Sequence, residues 1–175
     1  DEFLFVADGR LLWLYDGTTL TQVAVPDDVG VISVGMIANF VIVVIAQGFG
    51  MNGRFYWIEP GDRTIDPLNF ATAERSPDPL WSVIVVGDQF WLPGTSTTEV
   101  WYPTGSQDAP FLRIQGRLFD RGVWEGTPVQ VKDTLILVDT DGTVYATDDG
   151  HRRISTSGIE ERIRRAMAAE IAFGG

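Results

Sequence analysis

The chain has 175 residues, a net charge of −11 and no cysteine, which excludes disulfides and thiolate metal sites; its single His, His151, excludes a multi-His zinc site. Apolar residues make up 45% of a length that predicts one domain, enough for a packed core and too many for a disordered chain. Residues 1–110 carry fourteen Asp/Glu against four Arg, and residues 111–175 ten against nine Arg/Lys, so phosphate backbones are repelled and tight nucleic-acid binding is disfavoured, leaving Arg152/Arg153 and Arg162/Arg164/Arg165 for any local contact.

The chain opens at Asp1-Glu2 and enters a strand-like run, Phe3–Val6, with no basic stretch ahead of an apolar one, so no signal peptide is read there. Asp8-Gly9 supplies the positive φ of a tight turn, and Leu11–Tyr15 follows as an aromatic strand. Asp16-Gly17 turns the chain again, toward a strand near Val23. The second unit reads Val31–Val34, Phe40–Ala46, a hairpin tip over Gly48–Gly53, Phe55–Ile58, a turn at Pro60-Gly61-Asp62 and a strand near Leu68. Phe40–Ala46 is too short to cross a bilayer, and no membrane association is expected. The third unit reads Trp81–Val86, Gln89–Leu92, Pro93-Gly94, Val100–Tyr102, Pro103-Thr104-Gly105 and Leu112; the fourth reads Val129–Val131, Thr134–Val138, Asp141-Gly142, Val144-Tyr145, Asp148-Asp149-Gly150 and Ile154. Ser157 and Glu160 stand at capping-box spacing, and Ile159, Ile163, Met167 and Ile171 recur every four residues before Gly174-Gly175. That pattern predicts a C-terminal helix with one apolar stripe, packed on the sheets or against a neighbour.

Trp13, Trp57, Trp101 and Tyr145 are spaced by 44, 44 and 44 residues. Each falls in the third strand of a four-strand pattern, and strand count and length together match a β-propeller blade. A single sheet cannot cover both faces, but stacked blades bury them against each other, with the third-strand aromatic between neighbours. A β-sandwich also fits the strand spacing; the three equal intervals favour blades. The expectation is an all-β chain with units at about 1–27, 28–76, 77–122 and 123–156 and a helix over 157–173. The first unit lacks its leading strand, which predicts a fragment of a longer or incomplete propeller.

No catalytic, cofactor-binding or metal-binding residue is assigned. Asp139-Thr140-Asp141-Gly142 resembles the start of a calcium loop, but the closing position holds Gly150 rather than Glu; a hairpin turn explains it. Gly48-Phe49-Gly50-Met51-Asn52-Gly53 has dinucleotide-like spacing but no helix after it. Glu74, Glu99 and Glu125 are carboxylates that a carbohydrate-active propeller enzyme would need in pairs, and nothing singles out a pair. His151 has no partnering nucleophile motif. A glycosidase or lyase, or a generic protein-binding propeller, are the alternative readings.

Three stretches carry a resemblance: Phe70 to Pro79; Ser96 to Gly105 running into Pro110 to Arg117; and Arg153 to Glu160. Together, in this order, they resemble the packaged-DNA stabilisation proteins of short-tailed phages, the tail hubs of P22-like virions. Where that family often has Cys after Arg-Gly, this chain has Val123 after Arg121-Gly122. The resemblance implies a virion structural protein without catalytic residues or cofactors, in an oligomeric ring below the portal and adaptor. It also implies tail needle and tailspike as neighbours, location in the virion tail after assembly in the host cytoplasm, and a longer full chain.

Overall fold

Turn chemistry sets the first strand boundaries. Strand β1 (Leu4–Ala7) meets β2 (Leu12–Tyr15) through Asp8-Gly9. The Asp8 carboxylate accepts the amides of Arg10 and Leu11 at 2.9 and 2.6 Å, while Gly9 takes φ +87°, a conformation that favours glycine. Asp16 does the same before β3 (Leu20–Val23), accepting the amides of Thr18 and Thr19 at 2.9 and 2.8 Å. Amide donation, led by Leu11 at Asp8 and Thr19 at Asp16, holds both carboxyls below the ordinary aspartate value.

The computed structural model describes residues 3–46, 52–73, 78–106, 108–147 and 151–173. Most of the Gly48–Gly53 tip, Glu74, the Asp148–Gly150 turn and Gly174-Gly175 lie outside them. The described chain forms one three-stranded and three four-stranded sheets, each an antiparallel meander. The first is β1-β2-β3. The second runs β4 (Val31–Ile37), β5 (Phe40–Ile45), β6 (Arg54–Ile58) and β7 (Phe70–Thr72). The third runs β8 (Ile84–Val86), β9 (Gln89–Pro93), β10 (Thr98–Pro103) and β11 (Phe111–Phe119). The fourth runs β12 (Val129–Val131), β13 (Thr134–Val138), β14 (Val144–Ala146) and β15 (Arg152–Arg153). The first sheet lacks a leading strand among the described residues, as the sequence pattern has it. Helix α1 spans Ser157–Phe173.

The sheets stack face to face, and alternation along each strand sorts side chains to one neighbour or the other. Leu12, Leu14 and Val23 of the first sheet meet Val41, Val43, Ile45, Tyr56 and Ile58 of the second. The opposite face of the second sheet gives Ile42, Val44, Phe55 and Trp57 to a cluster with Phe90, Leu92, Trp101 and Phe111 of the third. Trp91, Val100 and Phe119 then pack against Leu135 and Leu137 of the fourth. Polar bonds tie consecutive sheets: the Val31 amide donates to the Arg10 carbonyl at 3.1 Å, the Val83 amide to Ser33 Oγ at 3.1 Å, and the Val123 amide to the Gly94 carbonyl at 2.9 Å. A Cβ on Gly35 would come within 3.2 Å of Val83 and Val85, so β4 passes closely by the start of the third sheet there.

The spaced aromatics all sit on the third strand of the pattern, but they do not face one way. Trp101 and Tyr145 point back toward the preceding sheet, and Trp13 lies on the face of the first sheet that no described sheet covers. Trp57 points forward instead, so Trp57 and Trp101 enter the same cluster from opposite sides. Equal spacing therefore marked the strand and not the face, because a one-residue offset within a strand reverses every side chain.

Candidate functional site

Among the described residues four carboxylates are buried, and each is the junction of two or more segments. Asp78 accepts the Ser96 and Thr97 amides at 2.6 and 3.0 Å and the Thr97 hydroxyl at 3.1 Å, fixing the turn between β9 and β10. Glu99, 1% exposed, accepts from the Trp101 indole at 3.0 Å and from Arg113 at 3.1 Å across the β10–β11 pair. Asp139, also 1% exposed, accepts the amides of Asp141 and Thr143, both at 2.9 Å, and Arg121 at 3.0 Å. Glu160 accepts Arg153 Nε and Nη2 at 2.6 and 2.7 Å and the Ser155 hydroxyl at 2.6 Å. Buried charges persist when paired and hydrogen-bonded, and here the carboxylate oxygens are occupied by guanidinium, amide, indole and hydroxyl donors.

The calcium-like Asp139–Gly142 segment is therefore a turn whose first carboxylate is occupied by two amides and a guanidinium. Of the glycosidase candidates, Glu99 lines an open groove of about 490 Å³ between β7 and β11, with Phe70, Trp101, Leu112 and Arg113. Glu125 is exposed, outside that groove's lining, and Glu74 lies outside the described residues. Among the described residues no second carboxylate lines the groove, whereas acid–base cleavage of a glycoside needs a pair. His151 lies instead between the third and fourth sheets. The buried acids were missed in the sequence because their partners stand 14, 18 and 7 residues away, at Arg113, Arg121 and Arg153.

Helix α1 docks through charged groups and through the middle of its apolar stripe, where Ile163 is half-buried. Glu160 and Met167 are buried, while Ile159 and Ile171 are 50% and 66% exposed. Arg164 donates to the Asp141 carbonyl at 3.1 Å, and a Cβ on Gly142 would approach Arg164 Cγ at 3.0 Å. The expected capping box does not form: Glu160 turns to Arg153 and Ser155, and the amides of Ile159 and Glu160 donate to the Thr156 carbonyl. The hydrogen bond from Arg153, then that from Ser155, holds the Glu160 carboxyl below its ordinary 4.5. A carboxylate with a depressed folded pKa stabilises above its unfolded value and loses that contribution as pH falls through the folded one. Amide shifts of α1 should therefore move toward undocked values below about pH 4.5, and Glu160→Gln should remove that titration.

The two ends of the stack are apolar and open. On the first sheet Leu4, Val6, Tyr15 and Leu20 are 39–57% exposed, on the face opposite Leu12 and Leu14. On the fourth sheet Val129 and Val131 are 56% and 48% exposed, on the face opposite Leu135 and Leu137. Among the described residues no helix is long and apolar enough to cross a membrane.

This series of stacked four-stranded meanders is propeller architecture, and the comparisons agree. A family model described as "Bacteriophage P22 Gp10, beta-propeller", a phage-stabilisation family, matches residues 1–173. The chain belongs to the P22 Gp10 phage-stabilisation family. No curated protein matches it by sequence. Among solved structures the Gp10-family chain is similar to BamB from Moraxella catarrhalis, at TM-score 0.55 and 11% identity, over 86% of this chain and 43% of that one. It is similar to the computationally designed Ika8 protein, at TM-score 0.54 and 13% identity over 89% and 46%. Hsv2 from Kluyveromyces lactis follows at 0.51 and 13% over 92% and 48%. At such identities these likenesses describe the fold alone. The chain spans about half the length of each of these structures, and its family is one of phage structural propellers.

Proposed function

We propose that the chain is part of a tail hub: a virion structural protein added after packaging that plugs the portal–adaptor opening and keeps the genome from leaking. The single observation that carries this reading is the family match over residues 1–173. The open faces at both ends of the stack support it, because exposed apolar sheet faces call for a covering surface; further blades, or subunits in a ring, would provide one. The net charge of −11 suits a protein that contains DNA mechanically without binding it tightly. The carboxylates are tied into turns and ion pairs, which supports a scaffold role over catalysis. Portal, adaptor, tail needle and tailspike are the partners this reading gives the whole protein.

Adding the full-length protein to purified portal–adaptor complexes and imaging them by electron microscopy tests the proposal. The expected result is a ring of density below the adaptor, and DNA retention in packaged particles that depends on it. Complexes that stay bare, or particles that hold their DNA equally well without the protein, would reject the hub role.

A further inference from the structure

We infer that a cavity between the third and fourth sheets holds ordered water, bound through the hydroxyl of Thr98. The cavity, about 120 Å³, is lined by Thr98, Phe119, Arg121, Leu137, Tyr145 and His151 among others. That is well above the ~10–15 Å³ that one water needs.

Thr98 opens β10 and is fully buried. Its Oγ1 has no hydrogen-bond partner among the protein's described groups. Buried hydroxyls are nearly always bonded, to protein or to ordered water, and this one lines a cavity that also presents guanidinium, phenol and imidazole groups.

The chemistry of the lining selects a neutral ligand over an anion. Arg121 is already bonded to Asp139 at 3.0 Å and lies over the Tyr145 ring at 5.5 Å. Asp120 adds a carboxylate to the wall. Burial, then the charge of Arg121, pushes His151 down to about 4, so at neutral pH its ring offers one donor and one acceptor without charge. Water, both donor and acceptor, matches these groups.

Thr98→Val is close to isosteric and gives opposite signs for a wet and a dry site. Loss of a bound-water hydrogen bond lowers the folded-to-unfolded ratio about tenfold in denaturant titrations; Thr98→Ser, which keeps the hydroxyl, loses less. A high-resolution crystal structure of the unsubstituted chain shows water within hydrogen-bonding distance of Oγ1. A Val variant as stable as the parent or more so, or a cavity empty of water density, overturns the inference, and the crystallographic arm holds even if neither variant folds.

Discussion

Phe90→Ala should lower the unfolding free energy by about 3–5 kcal/mol, the range for deleting a buried aromatic, whereas Trp13→Ala should cost no more than about 1–2 kcal/mol. Phe90 is fully buried between the second and third sheets. Its ring lies 5.8 Å from Phe55 and 5.3 Å from Phe111, both edge to face, and stacks on Trp101 at 6.4 Å. Removing it leaves a cavity whose walls belong to two different sheets, so neither sheet alone can collapse to fill it. Trp13 is half-buried on the uncovered face of the first sheet, where its indole donates to the exposed Asp8 at 3.0 Å. Equilibrium urea unfolding of the two variants checks the contrast. Equal losses would mean that the inter-sheet contact does not set the energetics.

Arg113→Ala should destabilise by about 3 kcal/mol or more, because it strips a charged partner from a buried carboxylate. Glu99 is 1% exposed, and Arg113 at 3.1 Å supplies a cation beside it. The Trp101 indole donates to the same carboxylate, but a neutral donor does not replace the charge that the guanidinium supplies. Glu99→Gln in the Arg113→Ala background should recover much of the loss, since an uncharged amide does not require the guanidinium. A double-mutant cycle measures that coupling. Additive losses in the cycle would show that the two residues act independently and that Glu99 has some other role in its groove.

Strands and turns were legible in the sequence because their signals are local. Asp8-Gly9 and Asp16-Gly17 carry their own hydrogen-bond acceptors and their own positive φ, so the hairpins could be placed before any tertiary contact was known. Facing was not. Trp57 and Trp101 stand one repeat apart, yet their side chains approach each other from adjoining sheets, because residue counts in hairpins of unequal length do not preserve strand parity. Strand β11 shows the same effect within one element: Phe111 packs toward the second sheet and Phe119 toward the fourth. The register against β10 shifts between Glu99 and Trp101, with Gly116 at φ +83° in the intervening stretch of β11.

The helix shows an ion pair sharing the docking with an apolar stripe. Of the stripe Ile159, Ile163, Met167 and Ile171, Met167 is buried and Ile163 half-buried, while Ile159 and Ile171 are exposed and Glu160, beside Ile159, is buried on Arg153 and Ser155. None of the partners of the buried acids announces itself by spacing, since Arg113, Arg121 and Arg153 reach them through sheet register or docking.

Ring-to-ring nuclear Overhauser contacts in a selectively labelled sample test the stacked blades most directly. Phe55 on the second sheet lies 5.8 Å from Phe90 and 5.3 Å from Trp101 on the third, and cross-peaks from Phe55 to both rings are expected. A folded spectrum lacking them, or one joining Trp13 to Trp57 instead, would contradict the stack.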